Sequence, residues 1–295
     1  MASRAPHHLL RPGTPVLARS PGVLQVGLSG PRLRLPDVPE IRHLLTGLGG
    51  PGGPGGPGGP TAPSDPADLS PVAADALDRL LGAGLVVAAP PDPSDPALAT
   101  LIAQTGSDGV RRRAARAAVG VAVDSPDRLR ALLDPLLSAA GLRPAPATED
   151  AGVRLVVADG QVARDRLDPL VRASLPHLLV TGDATAVRVG PFVQPGRTAC
   201  LRCVDAHESL PDPRLPLLVA QAAAQCAERP PPRDPVLDHL ALAWAVRDLA
   251  RHLEGDEPST WSTTVDLTPA GAPVLTRWGR HPYCGCAWDG FLDLP

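Results

Sequence analysis

Four of the five cysteines fall into two close pairs, Cys200-Leu201-Arg202-Cys203 and Cys284-Gly285-Cys286. A thiolate is a soft ligand, and a C-x2-C or C-x-C spacing lets two thiolates from one turn reach the same ion. Two such pairs complete the tetrahedral four-sulfur set that structural zinc takes, with Zn–S distances near ~2.3 Å. Gly196 and Gly285 relieve the backbone beside each pair. A redox C-x2-C and incidental thiols are the competing readings. The second pair, and the lack of a thioredoxin-like strand-to-helix setting, weigh against redox use. A disulfide framework belongs to small secreted domains and does not suit a chain of this kind. Cys226 stands alone in an Ala/Gln-rich helical stretch, 215–227, and reads as a small buried hydrophobe, with a nucleophile as the alternative. His207 and His281 flank the pairs; each is either a packing histidine or a source of a ligand or a hydrogen bond behind the ligands.

Other chemistry is conspicuous by what is missing. A nucleotide-binding α/β domain places a glycine-rich phosphate loop after its first strand. Here the strand 119–123 is followed by Asp124-Ser125-Pro126-Asp127, two carboxylates and a proline where glycines would admit a pyrophosphate. The chain contains no lysine, so all 28 basic residues are arginine and no Walker or Schiff-base lysine exists. There is no G-x-S-x-G elbow. Arg111-Arg112-Arg113 with Arg116 reads as a solvated helix face. No local pattern nominates a catalytic residue, and no ATP is expected.

The elements that must position the cysteines follow from patterning. The 295 residues suggest two domains, and a 43% hydrophobic content supplies enough apolar material for real cores. The net charge of −3 argues against a general nucleic-acid binder. Neither a long apolar run nor a signal-like N-terminus is present, so a cytoplasmic protein without membrane contact is expected. In the first part, strands at 16–18, 23–28 and 32–35 alternate with Ser-Pro-Gly and Ser-Gly-Pro turns. A short helix is expected at 39–48. Ser70 caps a clearer helix with Pro71 at its first position, followed by a strand at 85–88. This pattern resembles a winged helix. The Gly/Pro-rich stretch 49–66, with four Gly-Gly-Pro triplets, cannot bury a core and reads as an insertion. A Pro/Asp-rich break at 90–96 sets the expected boundary, giving domains 1–95 and 96–295.

Beyond it, strands at 119–123, 155–158 and 178–181 alternate with helices at 125–137 and 165–175, with Pro135 expected to kink the first. That is the βαβαβ grammar of a Rossmann-type parallel sheet. A helical pattern at 237–253 and a hairpin at 265–277 follow. Five of the seven aromatic residues, Trp261, Trp278, Tyr283, Trp288 and Phe291, crowd the last 35 positions and suggest a packed cap.

The run Gly190-Pro191-Phe192-Val193-Gln194-Pro195-Gly196-Arg197-Thr198-Ala199-Cys200-Leu201-Arg202-Cys203, closed by His281-Pro282-Tyr283-Cys284-Gly285-Cys286, resembles the E1-like (ThiF/MoeB-type) proteins of azole-forming peptide pathways. Within that group it looks like the cyclodehydratase-associated branch that binds precursor leader peptides. The resemblance covers about residues 110–290 in layout and is specific in the two cysteine motifs. It implies an α/β fold with a degenerate E1-like sheet domain and a structural zinc ion, Zn(2+), on Cys200, Cys203, Cys284 and Cys286. It further implies binding of a precursor peptide's leader and a YcaO-type cyclodehydratase as the ATP-using partner, and it leaves room for a homodimer. The first domain is similar to the PqqD-like recognition element of such pathways. On that likeness the leader would add as a strand beside Leu33–Leu35, against the helix 70–81. Arg32, Leu33, Arg34, Leu35, Leu77 and Leu81 are then the candidate peptide contacts, the two arginines pairing with acidic leader residues or simply solvated. Two other classes stay open: an E1-type ATP-dependent adenylyltransferase, and a zinc-containing winged-helix regulator. The regulator is disfavoured because helix 70–81 carries Arg79 against Asp75 and Asp78.

Overall fold

The computed structural model describes residues 8–49, 69–89, 95–145, 151–282 and 284–286. Most of the Gly-Gly-Pro insertion, and Tyr283, Trp288 and Phe291, lie outside them. Two compact units divide at Ala114/Ala115. None of the helices in the described residues is long and apolar enough to cross a membrane.

In the first unit, β2 (Val16–Ser20), β3 (Val23–Val26) and β4 (Leu33–Pro36) form an antiparallel sheet in that order. β1 (His8–Leu10) pairs antiparallel with β5 (Val86–Ala88). α1 (Pro39–Gly47) and α2 (Pro71–Gly82) bury Ile41, Leu44, Leu77 and Leu80 against Leu24, Val26 and Leu35. α2 begins as expected: the Ser70 hydroxyl accepts from the Ala73 N–H at 3.3 Å, and Pro71 needs no partner for a missing N–H. It ends at Gly84, whose φ of +66° a side chain would resist. α3 (Pro96–Thr105) belongs here too, so the division falls later than the Pro/Asp break. Its Leu98 and Ile102 pack on Val87. The Arg11 guanidinium donates to the carbonyls of Ile102 and Ala103 at 3.1 and 3.0 Å. Arg111 and Arg112, early in α4 (Gly109–Ala118), pair with Asp108 and hold its carboxyl down at about 2.

The second unit is a seven-stranded sheet in the order β12-β11-β10-β9-β8-β6-β7. β6 (Gly120–Asp124), β7 (Arg143–Pro144), β8 (Ala151–Asp159) and β9 (His177–Gly182) run parallel. β10 (Val187–Val193), β11 (Thr263–Leu267) and β12 (Val274–Arg277) continue the sheet antiparallel. The three expected strands pair in parallel, and β10, β11 and β12 extend them into a mixed sheet. The reason is local. The chain turns back after Gly182 through Asp183, whose carboxylate accepts from the Thr185 N–H at 2.7 Å, and no helix intervenes to allow a parallel crossover. β8 buries alternate residues on opposite faces. Leu155 and Val157 meet α5 (Asp127–Ala139) and α9 (Pro235–Glu254), while Val156 and Ala158 meet α6 (Asp168–Arg172) and α7 (Leu201–Glu208). α5 runs through Pro135 without ending.

Candidate metal centre

After Val193 the backbone turns through Gly196, at φ +79°, and the Thr198 hydroxyl accepts from the Gln194 N–H at 2.7 Å. The Ala199 N–H donates to Ser262 Oγ at 2.9 Å, which ties this turn to the approach to β11. Cys200 then occupies the N-cap of α7 and Cys203 its first turn. The second pair follows β12, with Gly285 at φ +75° between the two cysteines and the Cys284 N–H donating to the His281 carbonyl at 3.1 Å. β11 and β12 are thus the hairpin that returns the C-terminal pair to the head of α7.

The four Sγ atoms lie within 4.8 Å of one another. Cys200 is 3.7 Å from Cys203 and 3.3 Å from Cys284, and Cys203 is 3.4 Å from Cys286. A tetrahedral ion with M–S bonds near ~2.3 Å requires S···S edges of about 3.8 Å, and these three spacings come within about half an ångström of that. Cys200 and Cys203 are buried, and Val193, Ala199 and Trp278 pack around the cluster. Without a cation the cluster cannot carry four negative charges. Hydrogen bonds to Cys203, Cys284 and Cys286, with burial, push the Cys200 thiol up. Hydrogen bonding from Cys200 brings Cys286 down to about 7, and Cys203 further still. The donor set fits a soft divalent metal. The two histidines stand outside it. His207 Nε2 is 3.0 Å from the Gly279 carbonyl, and its ring meets His281 edge-on at 5.1 Å. Cys226, in α8 (Leu215–Glu228), is half-buried against Gly160, away from the cluster.

The opposite end of β9 holds a constellation that sequence reading missed. β7 and β8 leave β6 in opposite directions, so the carboxyl ends of β6 and β8 bound the crevice where an open α/β sheet takes its ligand. Beside it Arg233, 2% exposed, sits on the carboxyl ends of β8 and β9: its Nη1 donates to the carbonyls of Ala158 and Gly182 at 2.9 and 2.8 Å, and its Nε to Asp238 at 2.7 Å. Arg128 pairs with Asp159 across the same opening, and Arg166 with Asp124 at 3.0 Å. The only sequence signal was Pro230-Pro231-Pro232-Arg233, which reads as a loop.

In the first unit the six candidate peptide contacts separate. Leu35 and Leu77 are in the core; Leu33 is half-buried; Arg32, Arg34 and Leu81 are exposed. The strand alternation sets Arg32 and Arg34 on the face opposite Leu33 and Leu35.

No protein-family model and no curated protein matches the sequence. Solved structures do match the fold. The heterocyclase TruD shares 17% identity over 96% of this chain and 43% of its own, with a TM-score of 0.67. A heterocyclase in complex with substrate and cofactor gives 16%, 96%, 40% and 0.69. Escherichia coli MccB, solved with AMPCPP and MccA, gives 11% identity over 95% of this chain and 99% of its own, with a TM-score of 0.59. The chain therefore spans about two-fifths of the heterocyclases and nearly all of MccB, and it shares their fold.

Proposed function

We propose that the chain binds the leader of a ribosomally made precursor peptide and presents it to a YcaO-type cyclodehydratase that forms azolines. The observation that carries this reading is the fold shared with two heterocyclases along 96% of the chain. The first unit supplies a fitting element, a three-stranded sheet whose β4 edge, among the described residues, has no strand partner, in the manner of a winged-helix recognition module. In this reading zinc on Cys200, Cys203, Cys284 and Cys286 is structural. It would fix the C-terminal segment to α7 and take no part in bond making.

A second reading, an E1-type adenylyltransferase, draws on the fold shared with MccB, which has been solved with ATP. Arg128 and Asp159 pair across the crevice where a nucleotide would enter, and Asp124 stands at the end of β6, so the first reading is favoured. The test uses the full chain with a fluorescein-labelled leader taken from any short Cys/Ser/Thr-rich reading frame found beside the gene. Saturable binding at micromolar or tighter affinity, with ATP–pyrophosphate exchange at background, is expected. Precursor-dependent exchange by this chain alone would establish the second reading instead.

A further inference from the structure

The β4 edge carries its own guard. In the β3–β4 ladder Gln25 faces Arg34 and Leu24 faces Leu35. One step beyond, the Asp37 N–H donates to the Gly22 carbonyl at 2.9 Å, and on the other side of β3 the Gly27 N–H donates to Pro15 at 2.8 Å. Antiparallel pairs alternate between bonded and non-bonded. Counting back from Gly22–Asp37, Leu24–Leu35 is bonded and Gln25–Arg34 is not. The N–H and C=O of Arg34 therefore point outward, to the free edge. Pro36, the next outward-facing residue, has no N–H to offer, so Arg34 is the place where an added strand would make a full pair.

That carbonyl is taken. Arg79 Nη2, from α2, donates to Arg34 O at 3.0 Å. Asp75, one turn earlier, lies 3.6 Å from the same guanidinium, whose side chain is 44% exposed. On the helical wheel Val72, Asp75 and Arg79 share the stripe beside the edge, and Leu81 falls on the other flank. Resting on the leader-binding reading above, we propose that Arg79 is a displaceable placeholder: it occupies the Arg34 carbonyl until the backbone N–H of an extended leader segment replaces it. The same contact shields a bare strand edge from pairing with other chains.

The test compares the full-length chain with Arg79→Ala, a change at a half-exposed helix position that alanine tolerates. One exchanged hydrogen bond corresponds to about a threefold to tenfold change in affinity. The labelled leader should bind the variant tighter by that factor, and the gain should persist at high salt because it does not come from lost charge. Unchanged or weaker binding overturns the proposal, weaker binding meaning that Arg79 touches the peptide directly. A gain that vanishes at high salt overturns it as well. If neither protein binds the leader, the leader-binding reading fails, and the guard is judged by sedimentation velocity alone. Self-association of Arg79→Ala under conditions where the parent does not associate supports it; identical sedimentation overturns it.

Discussion

The two ends of β9 meet the problem of buried charge in opposite ways. At the Gly182 end the chain supplies both signs itself: Arg233 lies among two strand-terminal carbonyls and Asp238, with Arg128 and Asp159 alongside. At the His177 end, where β10 returns and leads into α7, it supplies four sulfurs and no cation within the group. The first site has its counter-charges in place, while the second is a set of four sulfurs that could hold an ion. At the carboxyl ends of β8 and β9 an arginine stands on the strand carbonyls. The residues that ask for an external partner are the cysteines.

The largest effect is expected from breaking the sulfur end. Cys200→Ser or Cys203→Ser should drop metal content to a small fraction of the parent's and destabilise the second unit by roughly 5 kcal/mol, part of the ~10–16 kcal/mol that structural zinc contributes in isolated fingers. Cys226→Ser should retain the metal. Elemental analysis beside thermal melts checks both.

Next comes the arginine end. Arg233→Ala leaves Asp238 buried without its main partner and should cost about 3–5 kcal/mol, whereas Arg233→Met with Asp238→Leu should come close to neutral. Chemical denaturation measures the pair. If the double variant stays as unstable as the single one, the guanidinium's bonds to the Ala158 and Gly182 carbonyls matter more than the ion pair.

Acid should discriminate between the ends more gently. Burial lowers the pKa of His177, whose ring also bonds the Leu175 carbonyl at 3.0 Å, and burial lowers that of His252. The unfolded chain then takes up protons first as pH falls below about 6.5, so stability declines from there downward. His177→Gln should flatten that decline. Protons also compete with metal for sulfur, so acid should release the ion. Melts from pH 7.5 to 5, with a metal-sensitive dye present, follow both processes.

How much of this was legible depended on range. The cysteine pairs are local spacings and the 265–277 hairpin a local pattern, so both could be read directly. That hairpin closes the 84-residue gap between Cys200 and Cys284. The α2 cap at Ser70-Pro71 was equally local. β10 was not foreseen, because Gly190-Pro191 interrupts its apolar run and hides a strand made by pairing on both sides. β1 has three residues and exists through its pairing with β5, far along the chain. The proline-rich break at 90–96 looks like a boundary in the sequence, but α3 packs back onto β5 across it. Arg233 was invisible because its partners are the carbonyl ends of strands about 50 and 75 residues away. In the sequence Arg34 stands out for its charge, whereas the register gives importance to its backbone carbonyl.

The most direct test of the central contrast is X-ray absorption at the zinc edge, joined to metal stoichiometry, on the full-length chain purified without chelator. One zinc per chain with four sulfur neighbours near ~2.3 Å and no light-atom ligand is the predicted result. A metal-free protein, or a zinc shell containing nitrogen from His207 or His281, would contradict it.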